Sequence, residues 1–193
     1  QGLGLGTVIV GLVAGSQSAA ALISRMWAGH LADSRGAKHA VVVGLLVETV
    51  SGGLFLVSLR FLGAPVVSVA FLIAARALVG VGESSIITGA LSWGVTRVGP
   101  QHTGKVMSWV GTALYAAFAV GAPVGATLYA AHGFPAIAVA TAVLPLATLL
   151  LVVPLHRPAR PAPTVRPSFI DVIRAVLVPG LGLAISGVGF DAV

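Results

Sequence analysis

Three ionisable side chains, Glu48, Arg76 and Glu83, stand inside long apolar runs of the sequence. A carboxyl group can take up and release a proton, whereas a guanidinium stays charged in a protein. Arg76 is therefore expected to act by holding or biasing a neighbouring carboxylate. Arg76 and Glu83 are seven residues apart, on one helical face and two turns from each other. Glu48 belongs to the preceding run, and counting helix rise from each surface puts it within about a turn of Arg76. Either glutamate is a candidate partner. Such a group is either a fixed ion pair that sets helix register or a working charge site, and ionisable groups inside a membrane are functional by default. Gln17, one run earlier, adds an amide suited either to helix packing or to substrate contact.

The elements that must position these groups follow from composition. With 57% hydrophobic and 8% charged residues and a mean hydropathy of +1.04, the chain reads as an all-α membrane protein. A soluble domain carries about 25% charged residues. Apolar segments predict helices over 7–28, 40–59, 66–92, 106–130 and 136–155, each long enough for a hydrocarbon core of about 30 Å. A β-barrel would show alternating segments of about half that length, and the sequence has none. Together the five helices make one bundle over 1–155. A linker rich in Pro and Arg, 156–174, follows, with a capping-box spacing from Ser168 to Asp171. The run 175–193 is expected to be the start of a further helix, so that the chain is a fragment.

Charge gives the topology. The net charge is +6, yet the cations do not form the stripe that nucleic acid would require. Arg25, Arg35, Lys38, Arg97, Lys105, Arg157, Arg160, Arg166 and Arg174 fall at or beside alternate breaks, and the opposite breaks hold only Arg60. The positive-inside rule makes the first set cytoplasmic, including the hinge 29–39 and the linker 156–174. The five histidines are scattered singly, so no metal site is expected. Gly80-Val81-Gly82 lacks the strand context of a nucleotide fingerprint, so no cofactor is expected either. No nucleophile or hydrolase motif occurs, which points away from an enzyme.

The hinge Gly29-His30-Leu31-Ala32-Asp33-Ser34-Arg35-Gly36-Ala37-Lys38 resembles the loop between helices 2 and 3 of the major facilitator superfamily of secondary transporters. Ser34 stands where that family usually has a cation, which here comes one residue later, at Arg35. Arg76-x-x-x-Gly80-x-Gly82 resembles the family's helix 4 motif, whose buried arginine has been linked to proton coupling. Gly121-Ala122-Pro123-Val124-Gly125 resembles the helix 5 motif of its antiporter branch. In membrane helices, such Gly and Pro positions suit close packing and a kink.

The resemblance implies helices 2–6 and part of helix 7 of such a transporter, similar to efflux-type permeases of the sugar or arabinose exporter group. It implies alternating access and proton-coupled efflux of a sugar or drug-like molecule, with Arg76, Glu83 and Glu48 as proton-coupling candidates. Gly29, Asp33, Arg35, Gly36 and Lys38 would form a conformational latch. Helix 3 of the family lies away from the central cavity, so Glu48 has the alternative of facing another helix or lipid. The implied partners are a small-molecule substrate, protons and the lipid of a bacterial-type inner membrane, with the full-length protein a monomer. The alternatives are an uptake symporter, a facilitator, and a scaffold or receptor that kept the fold without transport.

Overall fold

A computed structural model describes residues 7–156. The linker beyond His156 and the run 175–193 lie outside the described residues. Five long helices follow in order: α1 (Thr7–Arg35), α2 (Ala37–Ser58), α3 (Pro65–Val98), α4 (Thr103–His132) and α5 (Phe134–Val152). Short 3-10 turns occupy Leu59–Phe61 and Pro100–His102. Each of the five helices is long and apolar enough to cross a membrane, and the described residues contain no strand.

The helices run longer than the apolar segments alone predict, and the breaks are shorter. The hinge expected over 29–39 reduces to Gly36, with α1 continuing through Arg35 and α2 starting at Ala37. Likewise α3 runs on to Val98 and α4 begins at Thr103. A polar stretch marks where a helix leaves the hydrocarbon, not where its hydrogen bonding ends. Chain reversal needs one backbone conformation that side chains disfavour, and Gly36 supplies it with φ 97°. Gly36→Ala is expected to cost about 1–3 kcal/mol through that strain. Gly29→Ala, in helical backbone with open space around it, should instead stabilise by up to about 1 kcal/mol. Thermal unfolding of both variants in detergent checks the contrast.

Contacts establish the antiparallel order. Along α2 and α3, Gly89 lies against Ala37 and Val41, Gly82 against Gly44, and Ser68 against Ser58. Along α2 and α5, Gly52 meets Ala142, while Phe55 clusters with Ala138 and Phe134 near the other end. Lys38 reaches from the start of α2 to the end of α5, donating to the carbonyls of Val153 and Leu155 at 2.6 and 2.5 Å. The hinge, the α3–α4 turn and the end of α5 therefore share one end of the bundle.

In lipid, helices associate through close packing and interhelical hydrogen bonds, because lipid tails are as apolar as the side chains. The α2–α3 seam uses both. A Cβ built at Gly44 would lie 2.7 Å from the Gly82 carbonyl oxygen, so the two backbones touch where both residues lack a side chain. Farther along, the fully buried Ser51 hydroxyl donates to the Ala75 carbonyl at 2.8 Å, and Ser68 donates to the Ser58 carbonyl at 3.1 Å. By contrast, Leu144, Leu150 and Leu151 of α5 are exposed, as side chains facing lipid must be.

Candidate functional site

α3 crosses α1 as closely as it crosses α2. A Cβ at Gly80 would collide with the Gln17 carbonyl oxygen and lie 2.9 Å from the Ala21 nitrogen. Gly80 therefore lets α1 settle directly onto α3, with the Gln17 side chain beside the α3 face that carries Arg76 and Glu83. Arg76 Nη1 donates to Gln17 Oε1 at 2.8 Å. The other end of the same amide, Gln17 Nε2, donates to Glu83 Oε2 at 3.1 Å. An amide has one accepting and one donating end. The fixed donor Arg76 and the acceptor Glu83 thus determine which way Gln17 points. The result is a three-membered chain, cation to amide to carboxylate.

This arrangement differs from a direct ion pair. Among the described residues, Arg76 forms no salt bridge with Glu83 or Glu48, the two partners that the sequence offered. Glu48 sits farther along α3, where a Cβ at Gly82 would lie 2.6 Å from its Cγ. That is about 9 Å of helix rise beyond Arg76 rather than within a turn of it. The reason is the α2–α3 register, which the Gly44–Gly82 contact fixes at that level. Glu48 is nevertheless close enough to Glu83 for the two charges to interact. Gln17 thus links the Arg76 guanidinium to the Glu83 carboxylate, and the Glu48 carboxyl lies beside this chain at Gly82 without a bond to the amide.

The sequence alone suits Gln17 to packing or to substrate contact, and the structure adds its role as a bridge. The usable signal was an amide in one apolar run with unpaired ionisable groups in another, since such groups in lipid seek hydrogen-bonding partners.

The remaining predicted residues are placed elsewhere. Gly29, Asp33 and Arg35 lie in the last two turns of α1, with Asp33 and Arg35 exposed. Lys38 is committed to the Val153 and Leu155 carbonyls just beyond α5, where a cation satisfies groups left open at a helix C-terminus. α4 continues as helix through Pro123. Nothing lies within 4 Å of a Cβ built at Gly121 or Gly125, so neither has a packing neighbour among the described residues. No group of three metal-ligating side chains occurs among the described residues.

A bundle of antiparallel, membrane-length helices joined by tight turns, with a charge chain at its α1–α3 crossing whose Gln17 and Glu83 are half-buried and whose Arg76 is exposed, defines an integral multi-pass membrane protein. The chain belongs to the Major Facilitator Superfamily, whose family profile matches residues 1–191. It is 40% identical over 193 residues to an uncharacterized MFS-type transporter of Salmonella typhimurium, covering 98% of this chain and 49% of that protein. Proteins bearing the same description in Burkholderia mallei and Burkholderia pseudomallei are 39% identical over 196 residues, covering 99% of this chain and 47% of each relative. The chain thus spans about half the length of the curated relatives it matches. No solved structure matches it.

Proposed function

We propose that the full-length protein is a proton-coupled secondary transporter that exports a small molecule, of sugar or drug-like class, across a bacterial inner membrane by alternating access. The observation that carries this is the Arg76–Gln17–Glu83 chain across the α1–α3 crossing. Arg76 keeps its charge throughout. Glu83 changes charge when a proton arrives, and with it the acceptor that holds the Nε2 end of Gln17. A protonated Glu83 accepts more weakly, so the amide and Arg76 are released to new partners. The α1–α3 contact that Gly80 permits would then be free to shift. Glu48, near enough to Glu83 to feel its charge, is a second proton acceptor, since a proton on either carboxyl relieves their repulsion.

The Gly121–Gly125 motif supports the outward direction by resemblance. The hinge at Gly29, Asp33, Arg35, Gly36 and Lys38 lies at the cytoplasmic surface and acts as a latch for one conformation. Movement of two bundles about a site near the midplane is the implied cycle.

Proteoliposomes containing the full-length protein and a luminal pH dye test this. With substrate loaded inside, antiport acidifies the lumen as substrate leaves. Symport makes the lumen more alkaline, and a facilitator moves substrate without a pH change. Glu83→Gln should abolish the acidification; a variant that acidifies as fast as wild type removes Glu83 from the coupling.

A further inference from the structure

We infer that the groove between the end of α3 and the start of α4 is a binding site for an anionic phospholipid, with the headgroup phosphate held by Arg97 and Lys105. The two helices touch at Gly94, where a Cβ would lie 2.6 Å from Val106 Cγ1. Beyond that contact, Gly99 with φ 92° and the turn Pro100–His102 carry the chain across between the helix ends. The space left between them is an open groove of about 590 Å³, lined by Arg97, His102, Lys105, Val106, Trp109 and Val110 among others. It lies at the same end of the bundle as the hinge, where the helices leave the hydrocarbon.

Its lining combines two cations with a larger apolar wall. Arg97 comes from the last turn of α3 and Lys105 from the first turn of α4, both exposed, and no carboxylate lines the groove. His102 stands between them, its ring held by Nδ1 at 2.9 Å from the Val98 carbonyl. The rest of the lining is apolar. Trp109 follows Lys105 by one helical turn on the same face and is 75% exposed, and Val106 and Val110 continue that wall.

These two parts together select the occupant. A free phosphate would engage the cations and leave the tryptophan and valines unfilled. An apolar helix would cover the valines but strip water from two cations without pairing them, which is costly. An anionic lipid satisfies both, with phosphate on Arg97 and Lys105 and its first methylenes on Val110 and the indole. Basic pockets between helices at a membrane surface bind lipid headgroups by this logic. The site is independent of the coupling chain and of the direction of transport.

The test is quenching of Trp109 in full-length protein reconstituted in phosphatidylcholine bilayers. Brominated phosphatidylglycerol or brominated phosphatidylcholine is added at equal mole fraction. The Trp109 contribution is the difference between wild type and Trp109→Phe. Each cation near an anionic lipid is worth about fivefold in local preference, so with two cations phosphatidylglycerol should be favoured by about 25-fold. Arg97→Gln with Lys105→Gln should remove that preference, and Arg97→Lys, which keeps the charge, should retain most of it. Equal quenching of wild type by the two lipids would overturn the inference without recourse to any variant. So would absence of quenching by both, which means that protein fills the groove. Relief of the phosphatidylglycerol quenching by millimolar inorganic phosphate would also overturn it, because the site would then be one for soluble anions.

Discussion

Gln17→Leu is expected to lower proton-coupled transport by about 10- to 100-fold, the worth of hydrogen bonds to charged groups, while leaving the protein folded. Leu has nearly the volume of Gln and keeps the α1–α3 surface filled, but it removes both bonds at once, to Arg76 and to Glu83. Glu83 then has no hydrogen-bonded link to the arginine. The measurement is the ratio of protons to substrate moved, alongside the maximal rate. If Gln17 instead contacts substrate, the same variant raises KM and leaves the proton ratio unchanged, because only binding common to ground and transition states is lost. Gln17→Glu sharpens the distinction. A carboxylate there still accepts from Arg76 but can no longer donate to Glu83, so coupling should fail although the contact with Arg76 survives.

Gly80→Leu should have the largest effect on stability, about 3 kcal/mol or more. Overpacking of a well-packed site costs about 1–3 kcal/mol where side chains can move. Here the added carbon meets backbone, the Gln17 carbonyl oxygen and the Ala21 nitrogen, and neither can rotate away. α1 must lift from α3, which also draws the Gln17 amide from Arg76 and Glu83. Stability and coupling should therefore fall together. Gly111→Leu is the control, since nothing lies within 4 Å of its Cβ position. Denaturant titration of purified protein in detergent, read by tryptophan emission, gives both values. Equal stability of the two variants would mean that the α1–α3 contact does not hold the bundle.

Much of this architecture was legible because lipid imposes simple rules. Every backbone group must be paired within its own segment, so long apolar runs become helices and polar breaks become surfaces. The order of the five helices follows from that alone. Glycines in α3 were legible as sites of close approach, and Gly80 and Gly82 do touch neighbouring backbones.

What the runs do not encode is the angle at which each helix faces its neighbour. Opposite charge makes a glutamate the expected partner of Arg76, yet the α1–α3 crossing interposes an amide. Glu48 was placed by counting from the surface, but its level follows from the Gly44–Gly82 contact, and Gly44 attracts no notice in the sequence. Lys38 reads in the sequence as a cation of the hinge, one of the latch residues. Its acceptors, the Val153 and Leu155 carbonyls, are more than a hundred residues away and carry no sequence signal at all.

The central claim is that the charge state of Glu83 drives the cycle through Gln17 and Arg76, and one comparison tests it most directly. In proteoliposomes of the full-length Glu83→Gln protein, substrate exchange across the membrane is measured beside net transport driven by a proton gradient. A permanently neutral side chain mimics the protonated state, so exchange should persist near the wild-type rate while net proton-driven transport is lost. Loss of neither would contradict the account, because a cycle that turns over normally without an ionisable group at Glu83 does not use it to carry the proton.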